Sequence, residues 1–250
     1  MKIGLIGAGR LGICLALLIE REGYDVIASD VREDYVQALS KGVLGTTEPQ
    51  THEYLWAAEN IEFTTDNDRV IRECDLIFTL VATPSLEDGS YDVNAVWKVV
   101  DDFKAASDVL TGKSLVVGCT TNAGDCDLFQ EQLAEYGVDV YYNPEFIAQG
   151  SIVKDLRNAD MVLVGGKEND LLEEIYTKMQ EGYAFGGTLI YFMSTKAAEI
   201  VKIAINTYLT TKISYANTLA QVMISSGLGD EVQHALGAIG TDTRIGNRYM

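Results

Sequence analysis

Short apolar runs alternate with helically spaced apolar positions along most of the chain. Lys2–Ile6 is a continuous apolar run, and Arg10–Glu22 follows with Leu11, Leu15, Leu18 and Ile19 on one helical face. Asp25–Ser29 predicts a second strand and Glu33–Ser40 a second helix. Further strands are predicted at Asp75–Leu80, Ser114–Val117, Asp139–Tyr142, Met161–Val164 and Leu189–Tyr191. Helices are predicted at Val93–Ala106, Asp125–Tyr136 and Asn169–Gln180. Strands interleaved with helices of this length build parallel βαβ units. The expected fold class is therefore α/β, a doubly wound, mostly parallel sheet.

The pattern changes after this alternation. From Ser194 to Ser225 there is neither proline nor glycine, and Ala197, Ile200, Val201, Ala204, Ile205, Leu209 and Ile213 recur at helical spacing. Ser194 suits an N-cap and Gly227 a stop. The result is one helix about 45 Å long at about 1.5 Å per residue, followed by a small helical segment. A boundary near residue 192 gives two domains, 1–192 and 193–250. A helix of this length on a short chain serves as a domain spine or a subunit interface.

Charge narrows the choice of partners. The 250 residues hold 37 Asp and Glu against 19 Lys and Arg, a net charge of −18. Nucleic acid needs a basic footprint, and an anionic membrane surface needs one too, so both are disfavoured as partners. The first apolar run is too short for a signal peptide, and no window approaches the roughly 18 apolar residues of a membrane span. Cys14, Cys74, Cys119 and Cys126 show neither metal-site spacing nor disulfide density, so no metal is expected. The expectation is a soluble, cytoplasmic protein with reduced thiols.

An acidic chain that binds an anion needs backbone amides and a few placed cations. Gly7-Ala8-Gly9-Arg10-Leu11-Gly12 supplies the amides: it follows a strand and opens a helix. Gly7 permits the tight turn, Gly9 lets the backbone approach a diphosphate, and Gly12 lets the helix pack on the strand. Arg10 and Leu11 open the helix whose N-terminal amides face that anion. Asp30 closes the next strand, 18 residues past Gly12. A carboxylate there accepts ribose hydroxyls and repels a 2′-phosphate, so the cofactor expected of this Rossmann unit is NAD. Arg32 is the feature that keeps NADP open.

Later segments carry a more specific likeness: Val81-Ala82-Thr83-Pro84 followed by Asp88-Gly89-Ser90, then Cys119-Thr120-Thr121, then Asn143-Pro144-Glu145-Phe146. Ala198-Glu199-x-x-Lys202-x-x-x-Asn206 and Asp242-x-Arg244-Ile245-Gly246 complete the set. In order and spacing the whole chain resembles the nucleotide-sugar 6-dehydrogenases, of which UDP-glucose 6-dehydrogenase is the best-known type. The resemblance implies oxidation of a sugar C6 alcohol to a carboxylate by two successive NAD through a cysteine-bound intermediate. UDP-glucose is the substrate it favours, with UDP-glucuronate as product. It places Thr83 and Thr120 at the cofactor, with Thr120 also orienting a catalytic water or hydroxyl. It makes Glu145 the proton-transfer carboxylate, and it makes Lys202 and Asn206, one helical turn apart, the pair holding the oxyanion. Phe146, Gln149 and Arg244 fall on the substrate; Gln149 stands where relatives carry a second glutamate and cannot act as a base. A homodimer through the 194–225 helix is also implied.

One element of the family pattern does not occur. The nucleophile of these enzymes lies in a Gly-Phe-Gly-Gly-Ser-Cys-Phe-Pro-Lys-Asp segment beyond Asp-x-Arg-Ile-Gly, and Met250 is four residues past Gly246. Cys119 stands where relatives have serine and reads as packing. The expectation is the N-terminal part of an enzyme, either one half of a split gene completed by a separate C-terminal polypeptide or the product of a truncated coding sequence. Two other readings stand beside it: a catalytically silent NAD-binding scaffold, and an enzyme like the β-hydroxyacid dehydrogenases, which need no cysteine.

Overall fold

The computed structural model describes residues 1–147, 150–180 and 189–249. They divide into two compact units, Met1–Glu199 and Ile200–Met250. In the first unit the chain runs β1 (Lys2–Ile6), α1 (Arg10–Arg21), β2 (Asp25–Ser29), α2 (Glu33–Ser40), α3 (Thr51–Ala57), β3 (Ile61–Thr64), α4 (Asn67–Glu73) and β4 (Leu76–Thr79). It continues through α5 (Asn94–Ala105), β5 (Ser114–Val117), α6 (Asp125–Leu133), β6 (Asp139–Tyr142), α7 (Ile152–Arg157), β7 (Met161–Gly165), α8 (Asp170–Met179) and β8 (Leu189–Met193). Helix α9 (Thr195–Ser225) leads from it into the second unit, which also holds α10 (Val232–Thr241).

The strands form one eight-stranded sheet in the order β3-β2-β1-β4-β5-β6-β7-β8. Pairing is parallel from β3 through β6, as the alternation predicted. β7 departs from this: it meets β6 antiparallel through the Tyr142–Gly165 pair, and β8 follows β7 in parallel. The order reverses between β1 and β4. The connections beside it leave toward opposite halves of the sheet, so a crevice opens at the carboxyl ends of these two strands.

Helix α1 departs from the amphipathic pattern. The spacing predicted one apolar face, but Gly12 through Glu20 are all buried. α1 packs on the sheet and is covered in turn by α3, α7 and α8, and a helix enclosed on all sides is apolar all round. The predicted long helix is present over 31 residues. Ser194 caps it, its hydroxyl accepting from the Ala197 amide at 3.3 Å. Among the described residues no helix is long and apolar enough to cross a membrane.

Candidate active site

The turn between β1 and α1 is built on steric necessity. Gly7 has φ +97°, and a Cβ there would lie 2.7 Å from the Leu80 carbonyl oxygen. A Cβ on Gly12 would run into the Gly7 carbonyl oxygen, whereas one on Gly9 would meet nothing within 4 Å. Gly7 and Gly12 therefore serve the fold, and Gly9 keeps open the space in front of the helix. The Gly7 and Ala8 amides both donate to the Ser29 carbonyl at 2.9 Å, which pins the turn to the end of β2. The first turn of α1 carries no acidic residue, so the positive end of the helix dipole is unopposed.

Gly7 and Gly9 share a cavity of about 840 Å³ with Asp30, Arg32, Leu80 and Val81, within the range of ligand pockets. The Asp30 carboxylate accepts from Arg32 three times: the backbone amide at 3.1 Å, Nε at 2.8 Å and Nη2 at 3.0 Å. Burial pushes the Asp30 carboxyl up, but these bonds outweigh it and hold the group below the usual carboxylate range. The three features that a dinucleotide requires fit here: a glycine cradle, an unopposed helix start and an ionised carboxylate at the end of β2.

Two neighbouring loops follow β5 and β6 at the same edge of the sheet. Thr120 is half-buried in the first, and α6 is capped by Gly124, so Thr120 is not a helix cap. The adjacent Thr121 is fully buried and donates to Glu199 at 2.9 Å. Glu199 also accepts the Gly124 amide at 2.5 Å and the Cys126 amide at 2.9 Å, so one buried carboxylate organises the loop and the start of α6. In the second loop, the Asn143 amide donates to Val117 at 2.8 Å and its side chain to the Leu163 carbonyl at 2.9 Å. The buried Tyr176 hydroxyl, on α8, bonds both Asn143 and Glu145, the latter at 3.1 Å. Glu145 and Phe146 are half-buried there, and Gln149 lies outside the described residues. Thr83 continues the loop that begins with Leu80 and Val81 after β4.

None of the four cysteines offers a thiolate. All are buried. Burial pushes Cys14 up to about 11 and Cys74 and Cys119 up to about 12, and it raises Cys126 as well, with the Glu199 charge adding to it. Cys119 is packed in the interior, and burial disfavours the thiolate that a nucleophile needs.

The second unit carries the remaining candidates. Lys202 and Asn206 stand one turn apart on α9. The Asp242–Gly246 loop is folded by Asp242, whose carboxylate pairs with Arg244 at 2.7 Å. Lys212, on α9, donates to the Ile245 and Gly246 carbonyls at 2.9 and 2.8 Å, fixing the end of that loop. Arg244 itself projects into solvent, its side chain 87% exposed.

Sequence reasoning quoted Glu199 within its motif without giving it a task, and it passed over Tyr176 and Lys212. The available signal for Glu199 was its standing as the single acidic residue of a 31-residue helix. Tyr176 and Lys212 had none, because their partners are 31 to 34 residues away in the chain.

The sheet order, the glycine turn and the acid closing β2 define a dinucleotide-binding protein of the dehydrogenase type. Residues 1–181 match the NAD binding domain of the UDP-glucose/GDP-mannose dehydrogenase family, and residues 196–250 match the central domain of the same family. The chain belongs to that family, and its first unit is the family's NAD-binding domain. This bears out the resemblance drawn from the motifs and sides with the nucleotide-sugar enzymes over the β-hydroxyacid dehydrogenases. A Haloferax volcanii protein named UDP-glucose 6-dehydrogenase AglM is 30% identical over 268 residues, spanning 100% of this chain and 60% of that protein. The putative UDP-glucose 6-dehydrogenase YtcA of Bacillus subtilis is 29% identical over 255 residues, spanning 100% of this chain and 58% of its own. Among solved structures, a UDP-glucose dehydrogenase from the archaeon Pyrobaculum islandicum superposes with a TM-score of 0.88 at 26% identity, covering 99% of this chain and 58% of that one. The chain thus spans about three fifths of the length of these relatives.

Proposed function

We propose that this chain is the cofactor-binding and central portion of an NAD-dependent dehydrogenase that oxidises the C6 alcohol of UDP-glucose toward UDP-glucuronate. The observation that carries the reading is the placement of the Gly7–Asp30 cradle and the Thr120 and Glu145 loops along one edge of one sheet, in a chain of this family. Gly7, Gly9 and Gly12, with the amides at Arg10 and Leu11, hold the diphosphate, and Asp30 holds the adenosine ribose. Thr83 and Thr120 border the nicotinamide end. Bound NAD supplies the hydride acceptor. Glu145 takes or returns the proton, its carboxylate oriented by Tyr176. Lys202 and Asn206 hold the developing oxyanion. Phe146 and Gln149 contact the sugar, and Arg244 reaches its phosphates.

A complete alcohol-to-acid oxidation also needs a thiolate, and the four buried cysteines supply none. In this reading the reactive thiol belongs to the family's cysteine-bearing segment, whether that segment is on the same polypeptide or on a second one. In this reading the protein acts in the cytoplasm as a homodimer. The exposed Tyr208, Tyr215, Val222 and Ile224 along α9 support the pairing. The test is NADH production from UDP-glucose, GDP-mannose and UDP-N-acetylhexosamines, with and without a polypeptide carrying the cysteine segment. The expected result is turnover of UDP-glucose only when that polypeptide is added. No turnover in any mixture, with NAD binding intact, supports instead a catalytically silent NAD-binding scaffold, which the buried cysteines also suit.

A further inference from the structure

The ribose corner of the cavity is not the bare carboxylate that the sequence pattern suggests. Arg32 grips Asp30 with one edge of its guanidinium, Nε to one oxygen and Nη2 to the other. The same guanidinium lies 4.1 Å from the centre of the Tyr35 ring. A side chain 53% exposed to solvent is thereby held by two different neighbours. Both Asp30 and Arg32 line the cavity. The surroundings are mostly acidic, with Glu33 and Asp34 in the first turn of α2 and Asp101 and Asp102 in the cavity lining, where Lys98 is a second cation.

NAD and NADP differ by one phosphate on the adenosine ribose. An isolated carboxylate rejects that phosphate by charge alone. Here the carboxylate is already neutralised, and the group neutralising it is the fork whose geometry suits a phosphate. Rejection of NADP is then a competition between Asp30 and the phosphate for a single guanidinium.

We propose that Asp30 and Arg32 set cofactor choice as a pair: Arg32 is a latent 2′-phosphate ligand that Asp30 keeps engaged. Removing the carboxylate alone turns the pocket toward NADP, because the cation is already in place against Tyr35. This rests on the reading that NAD seats its adenosine ribose at Asp30.

The test is calorimetric titration of the chain with NAD and with NADP, for the wild type, Asp30→Asn, Arg32→Ala and the double variant. Circular dichroism checks folding, and Asp30→Ser and Arg32→Lys serve as second choices at each position. The wild type is expected to prefer NAD. Asp30→Asn should gain at least tenfold in NADP affinity, and the double variant should lose that gain. Arg32→Ala alone should bind NADP more weakly than the wild type, because the uncompensated carboxylate then repels the phosphate. Equal NADP affinity of Asp30→Asn and the double variant, with normal NAD binding by the wild type, overturns the pairing alone. Failure of the folded wild type to bind NAD overturns the ribose placement and this proposal with it.

Discussion

The Tyr176 hydroxyl donates to the Glu145 carboxylate at 3.1 Å, joining the middle of α8 to the loop after β6. Tyr176 is fully buried, and burial pushes its phenol well above the ordinary tyrosine value, with the Glu145 charge adding to it. The hydroxyl therefore stays protonated, and its one proton is shared between the Asn143 and Glu145 side-chain oxygens. Replacing it with Tyr176→Phe keeps the ring packing and removes both bonds. The expected cost is about 1 kcal/mol, the usual net value of a buried hydrogen bond, read by urea denaturation. NAD affinity should be unchanged, since Tyr176 does not line the Asp30 cavity. A tenfold loss of NAD affinity would contradict this separation.

Glu199 presents the opposite case, one carboxylate serving three donors. Glu199→Ala leaves the buried Thr121 hydroxyl and Cys126 amide, and the half-buried Gly124 amide, without their partner. Unpaired buried donors cost about 1–3 kcal/mol each, with partial relaxation, so a total loss of about 3 kcal/mol or more is expected. Glu199→Gln keeps one accepting oxygen and should lose less. Denaturation midpoints in the order wild type, Gln, Ala check this; equal midpoints for the two variants would place the stabilisation in packing instead.

The parts of the molecule that the sequence disclosed were those whose determinants are local. The Gly7–Gly12 turn, its flanking strand and helix, and Asp30 are specified within 30 residues. The Ser194 cap and the long run after it are likewise written in consecutive positions. Strand β3 escaped because Ile61–Thr64 is only four residues long and lies between two helices of seven, too short for either period to register. The Asp66 cap of α4, which accepts from the Arg69 amide, was the one local signal there. The reversal of β7 was illegible for a different reason. Alternation of apolar and polar residues states which side of a strand is buried, and it is silent on strand direction. The Arg32–Asp30 fork was hidden because a spacing of two residues in a turn allows many side-chain geometries.

Gly9 and Gly12 should separate binding from folding. In Gly12→Ala the new methyl group meets the Gly7 carbonyl oxygen within the turn, so backbone must move. Overpacking of this kind costs about 1–3 kcal/mol, and NAD binding should fall with the distorted turn. In Gly9→Ala the methyl group projects into open space from a residue at φ −61°, which alanine adopts readily. Its thermal midpoint should match the wild type, while NAD affinity drops at least tenfold because the methyl group stands where the diphosphate approaches. A Gly9→Ala protein with full NAD affinity would remove the diphosphate from this turn.

The cysteines give a prediction with a pH direction. Their ordinary value is 9.0, and burial holds Cys14 at about 11 and Cys74 and Cys119 at about 12. The folded chain thus keeps these protons where the unfolded chain releases them. Stability from this source is fully present below pH 9.0 and is lost as pH rises toward 12. The slope reaches about 1.4 kcal/mol per pH unit for each thiol. Urea denaturation between pH 7 and pH 10.5 should show a flat region followed by a decline. At pH 8 a disulfide reagent should titrate almost no thiol in the folded chain and all four after denaturation. A rapidly reacting thiol in the native protein would point to a nucleophile among these four cysteines.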